Sequence, residues 1–98
     1  MRLTADQAST IRRIVLEEAG NDAVARLFGS RLDDNARGGD IDLFLQTKHP
    51  IDRPALFSAR LAARLMRALN GRHVDLLLGA PNLQVLPIHE QARTGLIL

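Results

Sequence analysis

The sequence predicts a small α+β domain in which a mixed β-sheet is flanked by helices, in the order helix, strand, strand, helix, strand, helix. Apolar residues repeat at helical spacing over residues 4–19 and 54–70. Three shorter apolar runs have the length of strands: 23–28, 40–47 and 73–78. A chain of 98 residues with 46% hydrophobic residues has room for one core, so we expect a single domain over residues 1–98.

The two long helices have clear signals at their ends. The first begins at a capping-box pattern, Thr4 followed three residues later by Gln7, and Gly20 is well placed to end it. The second has Pro54 in its first turn and Gly71 just past its end. These signals predict where both helices start and stop.

The tail of the chain is less regular. It has two prolines, and we expect one short helix over residues 87–94. The apolar residues at 96–98 are assigned to no element.

Composition narrows the classes of function. The chain has no cysteine, which excludes a disulfide framework, a cysteine zinc site and a thiol nucleophile. Twelve of the thirteen cations are arginine, but the net charge is only +2 and Trp and Tyr are absent, so we expect no nucleic-acid partner. No apolar run approaches the roughly 18 residues of a membrane span, and residues 1–10 do not form a signal peptide. We therefore expect a soluble, cytoplasmic protein with no membrane partner.

Asp40 and Asp42 are the first element of a candidate site. Side chains alternate between the faces of a strand, so both carboxylates project from one face, roughly 6.5 to 7 Å apart at their Cα atoms. Their oxygens can converge on one hard cation. Alone, such a pattern is more typical of a solvated sheet face.

Two further elements strengthen this interpretation. Gly29 allows a phosphate to approach the backbone closely, and Ser30 adds a hydroxyl and an N–H, although Gly-Ser is also a common turn. Asp75 interrupts an apolar strand, where we expect it to be buried and to need a partner, either a metal ion or an arginine. Three acids on two strands beside this turn favour metal-dependent phosphate chemistry.

In these residues the chain resembles the minimal nucleotidyltransferases of the DNA polymerase beta-like superfamily, and within them the MntA-like antitoxins. The matching stretches are Phe28-Gly29-Ser30-Arg31, Asp40-Ile41-Asp42-Leu43 and Val74-Asp75-Leu76. Two departures are a loop one residue shorter and Gly39 where many members have a serine directly before the first aspartate. The resemblance extends over nearly the whole chain and implies the nucleotidyltransferase fold.

The resemblance also implies a reaction, the Mg²⁺-dependent transfer of a nucleoside monophosphate from a triphosphate, with ATP as the expected substrate. The implied catalytic residues and metal ligands are Asp40, Asp42 and Asp75. The first two would bind the magnesium that grips the triphosphate, and the third would complete a second metal site that lowers the pKa of the incoming hydroxyl. The residues that would hold the terminal phosphates are Gly29, Ser30 and Arg31, with an exposed salt bridge as the alternative for the arginine.

The implied partner is a small helical protein of the HEPN group, which would receive AMP on a tyrosine while this chain acts as the antitoxin of a toxin–antitoxin pair. The alternative is a non-catalytic module that neutralises a HEPN-type partner by contact. The intact aspartates speak against that alternative. Whether the chain forms a homodimer or a heteromer stays open.

Three further features have weaker functional interpretations. Arg60, Arg64 and Arg67 form a basic stripe on the second long helix, which either meets an acidic partner or, as we favour, is a solvated outer face. Phe44 shares the face of the strand aspartates, where a core role is favoured over contact with a nucleoside. The three histidines are scattered along the chain and are assigned no role.

Overall fold

A computed structural model describes residues 3–28 and 40–98 of the chain. Its elements in order are α1 (Ala5–Ala19), β1 (Val24–Phe28), β2 (Ile41–Gln46), α2 (Pro54–Ala68), β3 (Val74–Gly79), α3 (Pro87–Ala92) and β4 (Leu96–Ile97). The predicted α+β class is confirmed, because a four-stranded mixed sheet is flanked by helices.

The sheet has the strand order β3-β2-β1-β4. β1 runs antiparallel to both β2 and β4, whereas β2 and β3 are parallel. A parallel pair needs a crossover connection, and α2 provides it between β2 and β3. The two strands that bear the predicted site aspartates are therefore neighbours in the sheet.

One face of the sheet forms the main core with the two long helices. Alternate residues of β2 on this face, Ile41, Leu43 and Leu45, are completely buried. They form one apolar cluster with residues of α1 and α2, including Ile11, Ile14, Leu61 and Leu65. Full burial of each such side chain contributes about 1.5 to 3 kcal/mol. This packing holds β2 in place, and the alternate side chains of β2, those of Asp42 and Phe44, lie on the opposite face.

The ends of the long helices follow local signals. The Thr4 side chain accepts a hydrogen bond from the N–H of Gln7 at 3.1 Å, and the Gln7 side chain accepts one from the N–H of Thr4 at 3.0 Å, so the capping box is confirmed. α2 ends two residues earlier than predicted, at Ala68. The cause is Asn70, which adopts a left-handed conformation with φ of 60° and lets the N–H of Gly71 donate to an earlier helical carbonyl.

β4 was not predicted. Its two residues pair with the free edge of β1, with Leu96 opposite Leu27 and Ile97 opposite Arg26. Gly95 permits this approach, because a Cβ at that position would lie 2.5 Å from the carbonyl oxygen of Leu27. A strand of this length has little periodicity of its own and is specified by its partner.

Candidate active site

The register of β2 and β3 brings two predicted site residues side by side. Asp42 is the direct partner of Asp75 in the parallel pair, and neighbouring strands lie roughly 4.8 Å apart. One position earlier, the N–H of Ile41 donates to the carbonyl of His73 at 2.9 Å, which places Asp40 alongside His73. Alternation puts these four side chains on the sheet face opposite the main core. We call Asp40, Asp42, His73 and Asp75 the Asp–His cluster.

Asp75 does not have the environment that the sequence predicted. Its side chain is 57% exposed, so the expectation of a buried carboxylate is wrong. It lies on the face of β3 opposite the main core, at the solvent-exposed end of the strand. Asp75 Oδ1 lies 2.8 Å from Nε2 of His73, and the expected role of Asp75 as a metal ligand stays a prediction.

The pKa of His73 is shifted by the other members of the cluster. The hydrogen bond with Asp75 is the main reason why the pKa of His73 is raised above 6.5, and the charge of the same carboxylate adds to it. Desolvation lowers the pKa of His73, whereas Asp40 and Asp42 raise it further. All three carboxylates therefore act electrostatically on the one imidazole of His73.

Sequence reasoning missed His73, although a signal for it was available. His73 and Asp75 stand two positions apart at the start of β3, as Asp40 and Asp42 do at the start of β2. The same alternation that put the two β2 carboxylates on one face puts this histidine beside the third.

The donor set suits a hard divalent cation, which prefers carboxylate oxygens. With the side chains as placed, no three His, Cys, Asp or Glu groups within residues 3–28 and 40–98 lie close enough to hold one metal ion. Asp40, next to the His73–Asp75 pair, is exposed and has room to rotate toward it. The backbone thus brings the predicted ligands together, and their role as magnesium ligands stays a prediction.

The predicted phosphate-binding residues Gly29, Ser30 and Arg31 lie outside the described residues, as does Gly39. The described part of β1 ends at Phe28, which is the register partner of Asp42. The chain therefore leaves β1 next to the Asp–His cluster, and the role of these residues in binding phosphate stays a prediction.

The other end of the same sheet face is covered. Phe44 is 1% exposed and packs edge-on against the ring of His89 in α3, with the ring centroids 5.6 Å apart. Space for the phenyl ring comes from Gly79, where a Cβ would lie 2.7 Å from a ring carbon. The favoured core role of Phe44 is confirmed.

His89 fills a structural position in this covered region. It is 5% exposed, its Nδ1 accepts the N–H of Leu86 at 2.9 Å, and its Nε2 lies 2.8 Å from the carbonyl oxygen of Leu78. A ring nitrogen that accepts from an N–H carries no proton, and one that meets a carbonyl must donate. Nδ1 of His89 thus accepts and Nε2 donates, and the ring joins α3 to the end of β3.

The arginine stripe on α2 is largely engaged within the molecule. Arg64 pairs with Glu17 and lies 3.4 Å from Glu18, while Arg60 lies 4.0 Å from Glu18. Two of the three arginines of the stripe thus contact α1, and the third, Arg67, is exposed. Exposed pairs of this kind typically contribute 0 to about 1 kcal/mol each.

Comparison with known proteins shows a shared fold. No family model matches the chain, and no curated protein matches it either. Among solved structures, the chain is similar to a chain of a tri-AMPylated Shewanella oneidensis HEPN toxin in complex with MNT antitoxin, with a TM-score of 0.66 and 21% sequence identity. The similarity covers 91% of this chain and 65% of that one. At this identity the likeness shows the fold, and the chain spans about two thirds of the matched protein.

None of the helices within the described part of the chain combines the length and hydrophobicity needed to cross a lipid bilayer.

Proposed function

We propose that this chain is a magnesium-dependent nucleotidyltransferase that moves AMP from ATP onto a hydroxyl of a helical HEPN-type partner, as the antitoxin of a toxin–antitoxin pair. The observation that carries the proposal is the register of β2 and β3, which sets Asp42 directly beside Asp75, with Asp40 next along the same face. Carboxylates in this arrangement suit the magnesium ions that assist in-line displacement at phosphorus.

The structural similarity supports the choice of reaction and partner. The matched complex contains an AMPylated HEPN toxin and an MNT antitoxin. The HEPN partner implied by the sequence resemblance is helical, whereas this chain is built on a four-stranded sheet. We therefore place this chain on the antitoxin side of such a pair.

Each aspartate of the cluster has its own role in the proposed reaction. Bound magnesium would supply charge neutralisation at the triphosphate and lower the pKa of the incoming hydroxyl. Asp40 and Asp42 would hold the ion on the triphosphate, and Asp75 would orient the acceptor hydroxyl and help to remove its proton. The hydroxyl oxygen forms a bond to the α-phosphorus, the bond between that phosphorus and the bridging oxygen breaks, and pyrophosphate leaves with the electron pair.

The exposure of the cluster agrees with a large acceptor. Asp40, His73 and Asp75 are all exposed, so a side chain of another protein can reach them directly. A small-molecule acceptor would more typically bind in an enclosed, largely apolar pocket.

The proposal is tested by incubating the chain with magnesium, ATP labelled at the α-phosphate, and a HEPN-type protein encoded beside it. We expect label on the partner, and we expect the double variant Asp40→Asn/Asp42→Asn to lose at least about a hundredfold of the rate, since it removes the metal-binding charge. Asp52→Asn is the matched control, because Asp52 is an exposed aspartate outside the cluster.

Transfer that survives the double variant would contradict the proposal. Tight binding of the partner without transfer from any of the four nucleoside triphosphates would favour the non-catalytic binding module instead.

A further inference from the structure

We infer that His73 is a positioning residue: its Nε2–H donates to Oδ1 of Asp75 and holds that carboxylate in one orientation for a divalent cation and the acceptor hydroxyl. The inference rests on the proposed function, which it deepens by adding a residue to the same site. His73 is not assigned to contact the substrate. It acts through Asp75.

The backbone positions of His73 and Asp75 set the geometry of their side-chain contact. The carbonyl of His73 accepts the N–H of Ile41 at 2.9 Å, so the backbone of His73 is held against the start of β2. From this position the imidazole lies on the same face as Asp75, two residues further along, and the two side chains meet at 2.8 Å. The contact therefore follows from the strand itself.

Asp75 needs such a contact because packing does little to order it. Its side chain is 57% exposed and that of His73 is 56% exposed. An exposed carboxylate samples several rotamers, and ordering it on a cation costs conformational entropy. A hydrogen bond to Oδ1 orders the group in advance and leaves Oδ2 to the ligand, which is how outer partners tune metal-binding side chains.

A role in stabilising the fold explains the His73–Asp75 pair less well than a role in orienting Asp75. Exposed ion pairs contribute little to the free energy of unfolding. The hydrogen bond can form in both protonation states of His73, because Nε2 carries a proton both in the imidazolium and in one neutral tautomer. The pair can thus keep Asp75 oriented whether or not a cation lies nearby.

The test compares His73→Leu with His73→Gln, whose side-chain N–H can replace that of the imidazole. His49→Leu is the matched control, since His49 is an exposed histidine paired with Asp22 outside the cluster. Mn²⁺ affinity is measured by electron paramagnetic resonance, with and without a non-hydrolysable ATP analogue, beside the rate of AMP transfer and the midpoint of thermal unfolding.

We expect His73→Leu to weaken Mn²⁺ binding and slow transfer, each by about 10- to 100-fold, the range typical of outer partners of metal ligands. The glutamine variant should recover most of both losses, and His49→Leu should match the unmodified protein. All three variants should unfold near the same temperature.

Equal Mn²⁺ affinity in His73→Leu and the unmodified protein would overturn the inference while leaving the proposed function standing. A glutamine variant as impaired as the leucine variant would also overturn it, because the hydrogen bond would then not be the cause. Unmodified protein that binds Mn²⁺ but transfers no AMP would refute the proposed function alone, and the Mn²⁺ affinities would still decide the role of His73. Unmodified protein that binds no Mn²⁺ would overturn the inference.

Discussion

The two ends of the sheet face opposite the main core differ sharply, although the same two strands build both. At one end, the half-buried Asp42 lies beside the exposed Asp75, so this end is polar. At the other end, Phe44 is the residue that follows Asp42 on this face, and it is buried beneath His89 of α3. Alternation along β2 is the same throughout, so what separates the two ends is the helix that covers one of them.

This difference teaches which residues serve stability and which are available for chemistry. Residues under α3 are packed and hydrogen-bonded, and their replacement should lower the free energy of unfolding. Residues of the Asp–His cluster make few packing contacts, so their replacement should alter ion binding and reactivity while leaving the fold intact. The following variants test that division.

The largest effect on stability is expected from Phe44→Ala. Removing this buried ring should lower the free energy of unfolding by about 3 to 5 kcal/mol, because a cavity remains under α3. Denaturant unfolding followed by circular dichroism measures the change. Phe57→Ala is the matched control at a half-buried phenylalanine, and it should lower the free energy of unfolding by less. Equal losses in the two variants would contradict the assignment of Phe44 to a fully packed region.

A smaller loss is expected from Gly79→Ala. The added Cβ would lie 2.7 Å from Cε1 of Phe44 and 2.9 Å from Cζ, so the ring must shift. Overpacking of this kind costs about 1 to 3 kcal/mol. The same denaturant measurement applies, and it is repeated in a Phe44→Leu background, where the smaller side chain should relieve most of the loss. A penalty that persists undiminished in that background would show that the ring is not what the methyl group meets.

The smallest effect on stability is expected from Asp75→Asn, which should instead change the titration of His73. The hydrogen bond and charge of Asp75 are the leading causes of the raised pKa of His73, so the variant should lower that pKa. Because the folded-state pKa is raised, the pair favours the folded state below the unfolded pKa of about 6.5. That contribution is lost as the pH rises through the folded-state pKa.

Proton NMR of the His73 ring, recorded across the pH range without metal ions, measures the pKa of His73 in the variant and in the unmodified protein. A His73 pKa that is the same in the variant and the unmodified protein would show that the two side chains do not interact in solution.

Much of the fold was predictable because its signals are local. The capping box of Thr4 and Gln7 acts over three residues, and the turn of Asn70 and Gly71 acts at the end of one helix. The strands, five or six residues long, followed from short apolar runs in the sequence. Similarly, the placement of Asp40 and Asp42 on one face needed only the geometry of a single strand.

The sequence by itself thus determined the two long helices, the three longer strands and the shared face of Asp40 and Asp42. Only the tertiary structure decided that Asp42 stands opposite Asp75, that Asp40 lies alongside His73, and that Asp75 is exposed. These properties depend on the register of two parallel strands joined through α2, and on where α3 packs. The physical reason is distance along the chain: capping and alternation are set by neighbours a few residues away, whereas register and burial are set by contacts between segments about thirty or more residues apart.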